Sequence, residues 1–129
     1  ATVSAADYTS LRAEALISSP IVLSSWKVMK VSPKYAAPIP RRLVITDTAL
    51  EERDTERDLV VSARPLRSVL GLVRNPDQPQ DFFIETVEGL RPYRSTAREE
   101  LLSSLLDCAR TRGNDWITVS SMATPLGRR

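Results

Sequence analysis

Five basic residues, Lys27, Lys30, Lys34, Arg41 and Arg42, crowd one short stretch with Tyr35 among them. Lysine offers a compact point charge and arginine a forked, bidentate donor, so the grouping suits phosphate oxygens. Close to an anionic leaflet each such residue adds about 1 kcal/mol, and four or five dock a module weakly. The lipid-binding site expected from these types is Lys30, Lys34, Tyr35, Arg41 and Arg42. The competing expectation is a solvated strand end whose lysines keep a sheet edge soluble.

Other chemistry-bearing groups are weaker. Glu51, Glu52, Asp54, Glu56 and Asp58 form an acidic cluster, but the calcium-loop spacing and its glycine are missing. A solvated hairpin tip crossed by Arg53 and Arg57 is expected instead. Ser103, Ser104, Ser120 and Ser121 have no histidine to activate them, because the chain contains none, so no nucleophile can be assembled. The four glycines form no phosphate-cradling loop. No metal, no other cofactor and no enzymatic activity are expected. Trp26 and Trp116 are possible interface anchors, although strand residues of this type more often belong to the core. The single cysteine, Cys108, cannot make an internal disulfide, which points to a reducing compartment. Its place beside an apolar helix face predicts a structural thiol.

The positioning elements are suggested by composition and spacing. The chain has 129 residues, 42% hydrophobic and only 5% aromatic, which suits one domain with an aliphatic core. A formal charge of +2 is too mild to imply a nucleic-acid partner. No apolar run approaches the roughly 18 residues a membrane span needs. No basic segment precedes an apolar one at the start, so a signal peptide is not expected.

The strongest local pattern is Thr96 to Gly113, which predicts an amphipathic helix. Thr96 and Glu99 match a capping box. Leu101, Leu102, Leu105, Leu106 and Ala109 share one face, and Gly113 and Asn114 suit a left-handed cap. Burying four leucines contributes roughly 6–12 kcal/mol. Ordering the backbone costs about 1–2 kcal/mol per residue, so this helix requires an apolar partner surface. Short strands with frequent turn signals supply one. They are expected from about Ile21, over Arg41 to Thr46, Thr48 to Asp54, from Leu59 to near Pro65, Ser68 to Val73, Phe82 to Val87 and Leu90 to Arg94, where Pro92 suits an edge. Trp116 to Val119 is a possible further strand. The predicted organisation is an arm or linker over 1–25, with a ragged helix over 5–17, then a folded body over 26–119 and a flexible tail over 120–129. The expected fold is α+β, mainly β: a seven-stranded sandwich or barrel closed by one C-terminal helix, the pleckstrin-homology-like (PH-like) architecture.

From Trp26 to about Val119 the sequence resembles a PH-like repeat from the N-terminal part of the large endosomal DnaJ-domain co-chaperones of receptor-mediated endocytosis (DnaJ subfamily C, member thirteen, and relatives). The resemblance is carried by Lys30-Val31-Ser32-Pro33, Pro38, Arg41-Arg42, Thr46-Asp47-Thr48-Ala49-Leu50, Glu52-Arg53-Asp54, Pro65-Leu66, Asn75-Pro76-Asp77, Phe82-Phe83-Ile84-Glu85, Tyr93-Arg94-Ser95-Thr96 and the leucine pairs up to Gly113-Asn114. No one of these motifs is specific; their order and spacing are. A shorter resemblance, over Arg42 to Leu50, is to the tail-homology domain of class I myosins.

The first resemblance implies a non-enzymatic module of a cytoplasmic protein peripheral to the early endosome membrane. Its partners would be neighbouring PH-like repeats and an anionic phosphoinositide membrane. Hsp70-type chaperone and sorting-nexin partners would be reached only through the full-length protein. The family's phosphatidylinositol 3-phosphate loop belongs to its first repeat and is not matched here. The His-Pro-Asp signature of a J domain is impossible in a sequence without histidine. The second resemblance implies an autonomous phosphoinositide-binding domain. One observation separates the two. Arg41 and Arg42 engaged with carboxylates favour a scaffold, and both free around an open pocket favour lipid binding.

Overall fold

The computed structural model describes residues 21–122. Strands β1 (Val22–Lys30), β2 (Ile39–Thr46), β3 (Ala49–Asp54) and β4 (Val60–Pro65) form an antiparallel meander. A single 3-10 turn at Leu66–Ser68 leads into β5 (Val69–Arg74), β6 (Asp81–Thr86) and β7 (Gly89–Arg94), a second antiparallel set. Helix α1 (Arg98–Thr111) and strand β8 (Thr118–Ser121) complete the described chain. The spatial order is β4-β3-β2-β1-β7-β6-β5-β8. The two halves meet at a corner where β1 and β7 pair only through Met29–Arg94 and Lys30–Tyr93.

The turns follow from local chemistry. Thr46 Oγ1 accepts from the Thr48 and Ala49 amides, tightening the β2–β3 turn. Asp58 takes a positive φ of 54° between β3 and β4. Asn75 Oδ1 accepts from the Asp77 and Gln78 amides. Gly89, at φ 122°, closes the β6–β7 hairpin. Arg98 secures the β5–β6 loop from the helix, donating to the carbonyls of Asn75, Gln78 and Asp81.

Inward-facing alternate residues build one aliphatic core. Leu43, Ile45, Leu50, Leu72 and Ile84 meet Leu101, Leu102, Leu105 and Ala109 of α1. Leu106 is half-buried at the margin of this face. Phe82 stacks on Tyr93 with ring centroids 5.7 Å apart. Each fully buried leucine contributes roughly 1.5–3 kcal/mol, so the helix supplies a large share of what closes the sandwich.

Several local expectations are corrected. The capping box does not form: the N-cap is Ala97, with no side-chain cap. Ser95 Oγ accepts from the Ala97 amide, and Glu99 turns outward to Arg74 and Arg98. Two arginines within reach outcompete the single backbone amide for that carboxylate. At the other end Gly113 has a φ of 92°. The Asn114 amide donates to Ala109 O and the Gly113 amide to Arg110 O, a Schellman cap. Asn114 is fully buried and is itself a bolt, donating through Nδ2 to Leu66 O and Val69 O and accepting from the Ile117 amide.

The further strand considered at Trp116 to Val119 forms as β8, shifted to Thr118–Ser121 and parallel to β5, which brings the sheet to eight strands. Gly71 makes room for it, since a Cβ there would lie 2.9 Å from Glu85 Oε1 and 3.2 Å from Thr118 Oγ1. Pro92 sits in a strand flanked on both sides, not at an edge, and is tolerated because the β1–β7 ladder ends beside it. Trp116 is 46% exposed and lies outside β8, beneath the Arg67 guanidinium at 5.5 Å. Trp26 packs partly against the core. Strand β1 starts inside the expected arm and β8 ends inside the expected tail. The expected helix over 5–17 and the last tail residues lie outside the described residues.

Candidate functional site

Strand alternation decides where the basic residues go. Val28 and Arg41 are cross-strand partners, as are Leu43 and Glu52, so Arg41 and Glu52 point into the sandwich with the core. Lys30 shares that face at the end of β1. The result is a charge cluster at the mouth of the sandwich. Glu52 is only 2% exposed, and its Oε2 accepts from Lys30 Nζ at 3.1 Å and from Arg41 Nε at 3.3 Å. Its other oxygen accepts from the buried Tyr93 hydroxyl at 2.5 Å. Burial drives the Tyr93 phenol far above its usual range, and the adjacent Glu52 charge adds to the effect.

Glu52 therefore corrects the expectation of a solvated acidic tip. Its neighbour Glu51 is also buried and accepts from Arg53 Nε and Nη2. Only Asp54, Glu56 and Asp58 approach the turn as expected. The signal was the alternation Leu50-x-Glu52, which places the carboxylate on the core face.

The five expected lipid-binding residues are not brought to one place. Lys30 and Arg41 face inward onto Glu52. Arg42 faces outward and pairs with Asp58 at 3.4 Å. Lys34 and Tyr35 stand exposed on the β1–β2 loop, where the Tyr35 amide donates to Ser32 O and the Lys34 amide to Ser32 Oγ.

On the outer face a second arrangement appears that the sequence did not single out. Strands β1 and β7 splay apart beyond their two-residue pairing and leave an open cleft of about 800 Å³. Lys27, Met29, Arg41, Arg42, Gln80 and Arg94 are among its lining residues, so two of the five expected residues, Arg41 and Arg42, border it together. Lys27 lies opposite Arg42, and Met29 opposite Arg94. Arg94 donates to Asp81 Oδ1 at 2.7 Å, and that bond raises its affinity for a proton. Arg94 and Gln80 are distant in sequence from Lys27, so only the corner geometry reveals the group.

Chemically, the first arrangement is satisfied within the chain, and the second places basic side chains around an open cleft. Among the described residues no three His, Cys, Asp or Glu side chains converge as a metal would require. No helix among them is long and apolar enough to cross a membrane.

This architecture is PH-like: two antiparallel halves meeting at corners, with one helix plugging the open end. The chain superposes on the hSac2 domain of human phosphoinositide phosphatase Sac2 with a TM-score of 0.63 at 11% identity, covering 95% of each chain. It superposes on the C-terminal PH domain of pleckstrin, solved with D-myo-Ins(1,2,3,5,6)P5, with a TM-score of 0.59 at 13% identity, covering 70% of this chain and 97% of that one. At these identities the likeness is one of fold alone. In sequence the chain is similar to the DnaJ homolog subfamily C GRV2 of Arabidopsis thaliana, 39% identical over 90 residues. That match covers 68% of this chain and 4% of the relative. No family model matches the chain.

Proposed function

We propose that this PH-like unit is a non-enzymatic repeat of a large J-domain co-chaperone, cytoplasmic and peripheral to the early endosome. It serves there as an interdomain scaffold and protein-interaction unit that adds a weak phosphoinositide contact. The observation carrying the proposal is the 39% identity over 90 residues to the DnaJ subfamily C protein. Such a segment is about the length of one folded body rather than a shared short motif.

The engaged arginines support the scaffold half. Arg41 is held by the buried Glu52 carboxylate and Arg42 by Asp58, so both arginines that follow the loop are occupied from within the chain. A weak contact still counts in a multi-repeat protein, because anchoring one repeat raises the effective concentration of the next. Neighbouring repeats are the direct partners. Hsp70-type chaperone and sorting-nexin partners belong to the full-length protein.

The test is deletion of residues 22–121 from the full-length protein in cells, read by early-endosome localisation and by co-precipitation of the flanking repeats. A partial loss of both is expected. Unchanged localisation and unchanged co-precipitation would overturn the proposal. The autonomous lipid-binding alternative finds support in the outer cleft alone.

A further inference from the structure

The geometry points to the outer edge of β8, with Trp116 and Arg67 beside it, as a docking edge for an extended segment of a partner protein in which apolar residues alternate with carboxylates. This edge rests on the protein-interaction role proposed above and gives that role a place on the fold.

The sheet ends in two edges, β4 and β8. An edge strand presents unpaired N–H and C=O groups that another chain can join unless the sequence blunts it. Three features blunt β4. Its ladder with β3 is irregular between Glu52 and Arg53, Arg64 lies opposite the core residue Leu50 and so carries its charge inward, and Pro65 has no N–H to offer. Strand β8 has none of these. Thr118–Ser121 contains no charge and no proline, its register with β5 is unbroken, and all four residues are exposed. Among the described residues its only strand partner is β5, and no further hydrogen bond engages its outer edge. The ladder on offer is brief, so docking needs side-chain anchors next to it.

Trp116 is such an anchor. It is 46% exposed yet held in place: the Arg67 guanidinium lies over its ring, Asn114 is bolted two residues before it, and Ile117 is buried directly after it. An aromatic ring fixed in advance loses little freedom on binding, and Trp and Arg are the residue types that dominate interface energetics. Val119, 38% exposed, lies opposite the core residue Leu72 and extends the apolar surface along the edge. Charge selects the partner. Arg67 Nε comes within 3.9 Å of where a Cβ on Gly113 would lie, which sets it at the helix end that carries Arg110 and Arg112. All three arginines are exposed, none has an ion pair among the described residues, and Asp115 is the one acid of this corner. A guanidinium fork suits a carboxylate. Strand alternation in the docked segment sets apolar residues beside Val119 and carboxylates toward Arg67, while backbone pairing supplies the rest of the affinity.

The experiment titrates the isotope-labelled 129-residue chain with a short acetylated peptide of alternating valine and glutamate, and with its valine–lysine counterpart, read by amide resonances. The glutamate peptide is expected to shift the amides of Trp116 and Thr118–Ser121 and to bind at least about tenfold more tightly than the lysine peptide. Only one edge of the peptide pairs with β8, so N-methylating alternate peptide residues should abolish binding in one phase and spare it in the other. Arg67→Gln and Trp116→Ala, each with an unchanged far-ultraviolet spectrum, should each bind at least about fivefold more weakly. Lys34→Glu, on the β1–β2 loop, should bind like the parent.

Absence of binding to either peptide, equal binding of the two, or shifts confined to other strands would overturn the edge. Binding indifferent to N-methylation in both phases would show charge attraction without strand pairing and overturn it too. In the full-length protein, an Arg67→Gln, Trp116→Ala double variant separates this edge from the role it rests on. Weaker co-precipitation of the flanking repeats supports the edge. Co-precipitation kept by the double variant but lost on deletion of residues 22–121 overturns the edge and leaves the scaffold role. Co-precipitation kept in both overturns both.

Discussion

The Tyr93 hydroxyl donates to the buried carboxylate of Glu52 across the mouth of the sandwich, joining β7 to β3 from opposite halves of the fold. Lys30 and Arg41 both donate to the other carboxylate oxygen. Removing the carboxylate alone leaves two cations with no anion in a part-buried site. Glu52→Gln is therefore expected to destabilise by about 3 kcal/mol, measured by urea unfolding at neutral pH. Replacing the whole cluster at once, with Lys30→Met, Arg41→Met, Glu52→Leu and Tyr93→Phe, should recover most of that loss. A Glu52→Gln variant as stable as the parent would show that the cluster contributes nothing.

The same pair fixes an alkaline limit. Burial and the Glu52 charge raise the proton affinity of Tyr93 in the folded state. A tyrosine in the unfolded chain ionises near pH 10. Above that pH the unfolded chain has released a proton that the folded chain still holds, so stability falls as pH rises. The contribution is complete below about pH 9 and is lost progressively above about pH 10. Urea midpoints of the parent and of Tyr93→Phe, compared between neutral pH and pH values above the unfolded tyrosine range, should converge on the alkaline side. Parallel profiles would show that Tyr93 does not carry this dependence.

Asn114 ties three parts of the chain through its one amide: the 3-10 turn at Leu66, the start of β5 at Val69, and Ile117 just before β8. Asn114→Ala would leave two buried carbonyls and one buried amide without their partner. The expected cost is about 3 kcal/mol. Amide exchange in Thr118–Ser121 should accelerate more than in β6, because β8 has only β5 beside it. Uniform acceleration across both strands would show that Asn114 supports the whole fold rather than this attachment.

What was legible in the sequence followed from repeating patterns. The leucines at helical spacing marked α1 and its buried face. Runs such as Leu43-Val44-Ile45 and Phe82-Phe83-Ile84 marked strands, and Asn75-Pro76-Asp77 marked a turn. The site was less legible because it depends on face and partner rather than on residue type. Lys30, Arg41 and Arg42 read as one basic group, yet one step of strand alternation sends Arg41 inward and Arg42 outward. Glu52 read as solvent-facing because charge outweighed its place two residues after Leu50. The capping box failed for a similar reason: Arg74 is far from Glu99 in sequence but donates to it at 2.8 Å. Asn114 suited a helix cap by type, while its bolt role depends on carbonyls that only the fold brings near.

The helix provides the sharpest separation of fold from function. Leu105 is fully buried against the sheet interior, so a charge there has no partner and no route to water. Leu105→Asp is expected to cost more than about 4 kcal/mol and to abolish cooperative unfolding at 25 °C, combining lost burial with an unpaired buried carboxylate. Asp107, also on α1, is exposed, and Asp107→Lys should leave the urea midpoint within about 0.5 kcal/mol of the parent. Circular dichroism and urea unfolding of both variants provide the comparison. A folded, soluble Leu105→Asp protein would mean that this face docks a partner rather than the sheet, and the scaffold role would then have to be sought on α1 itself.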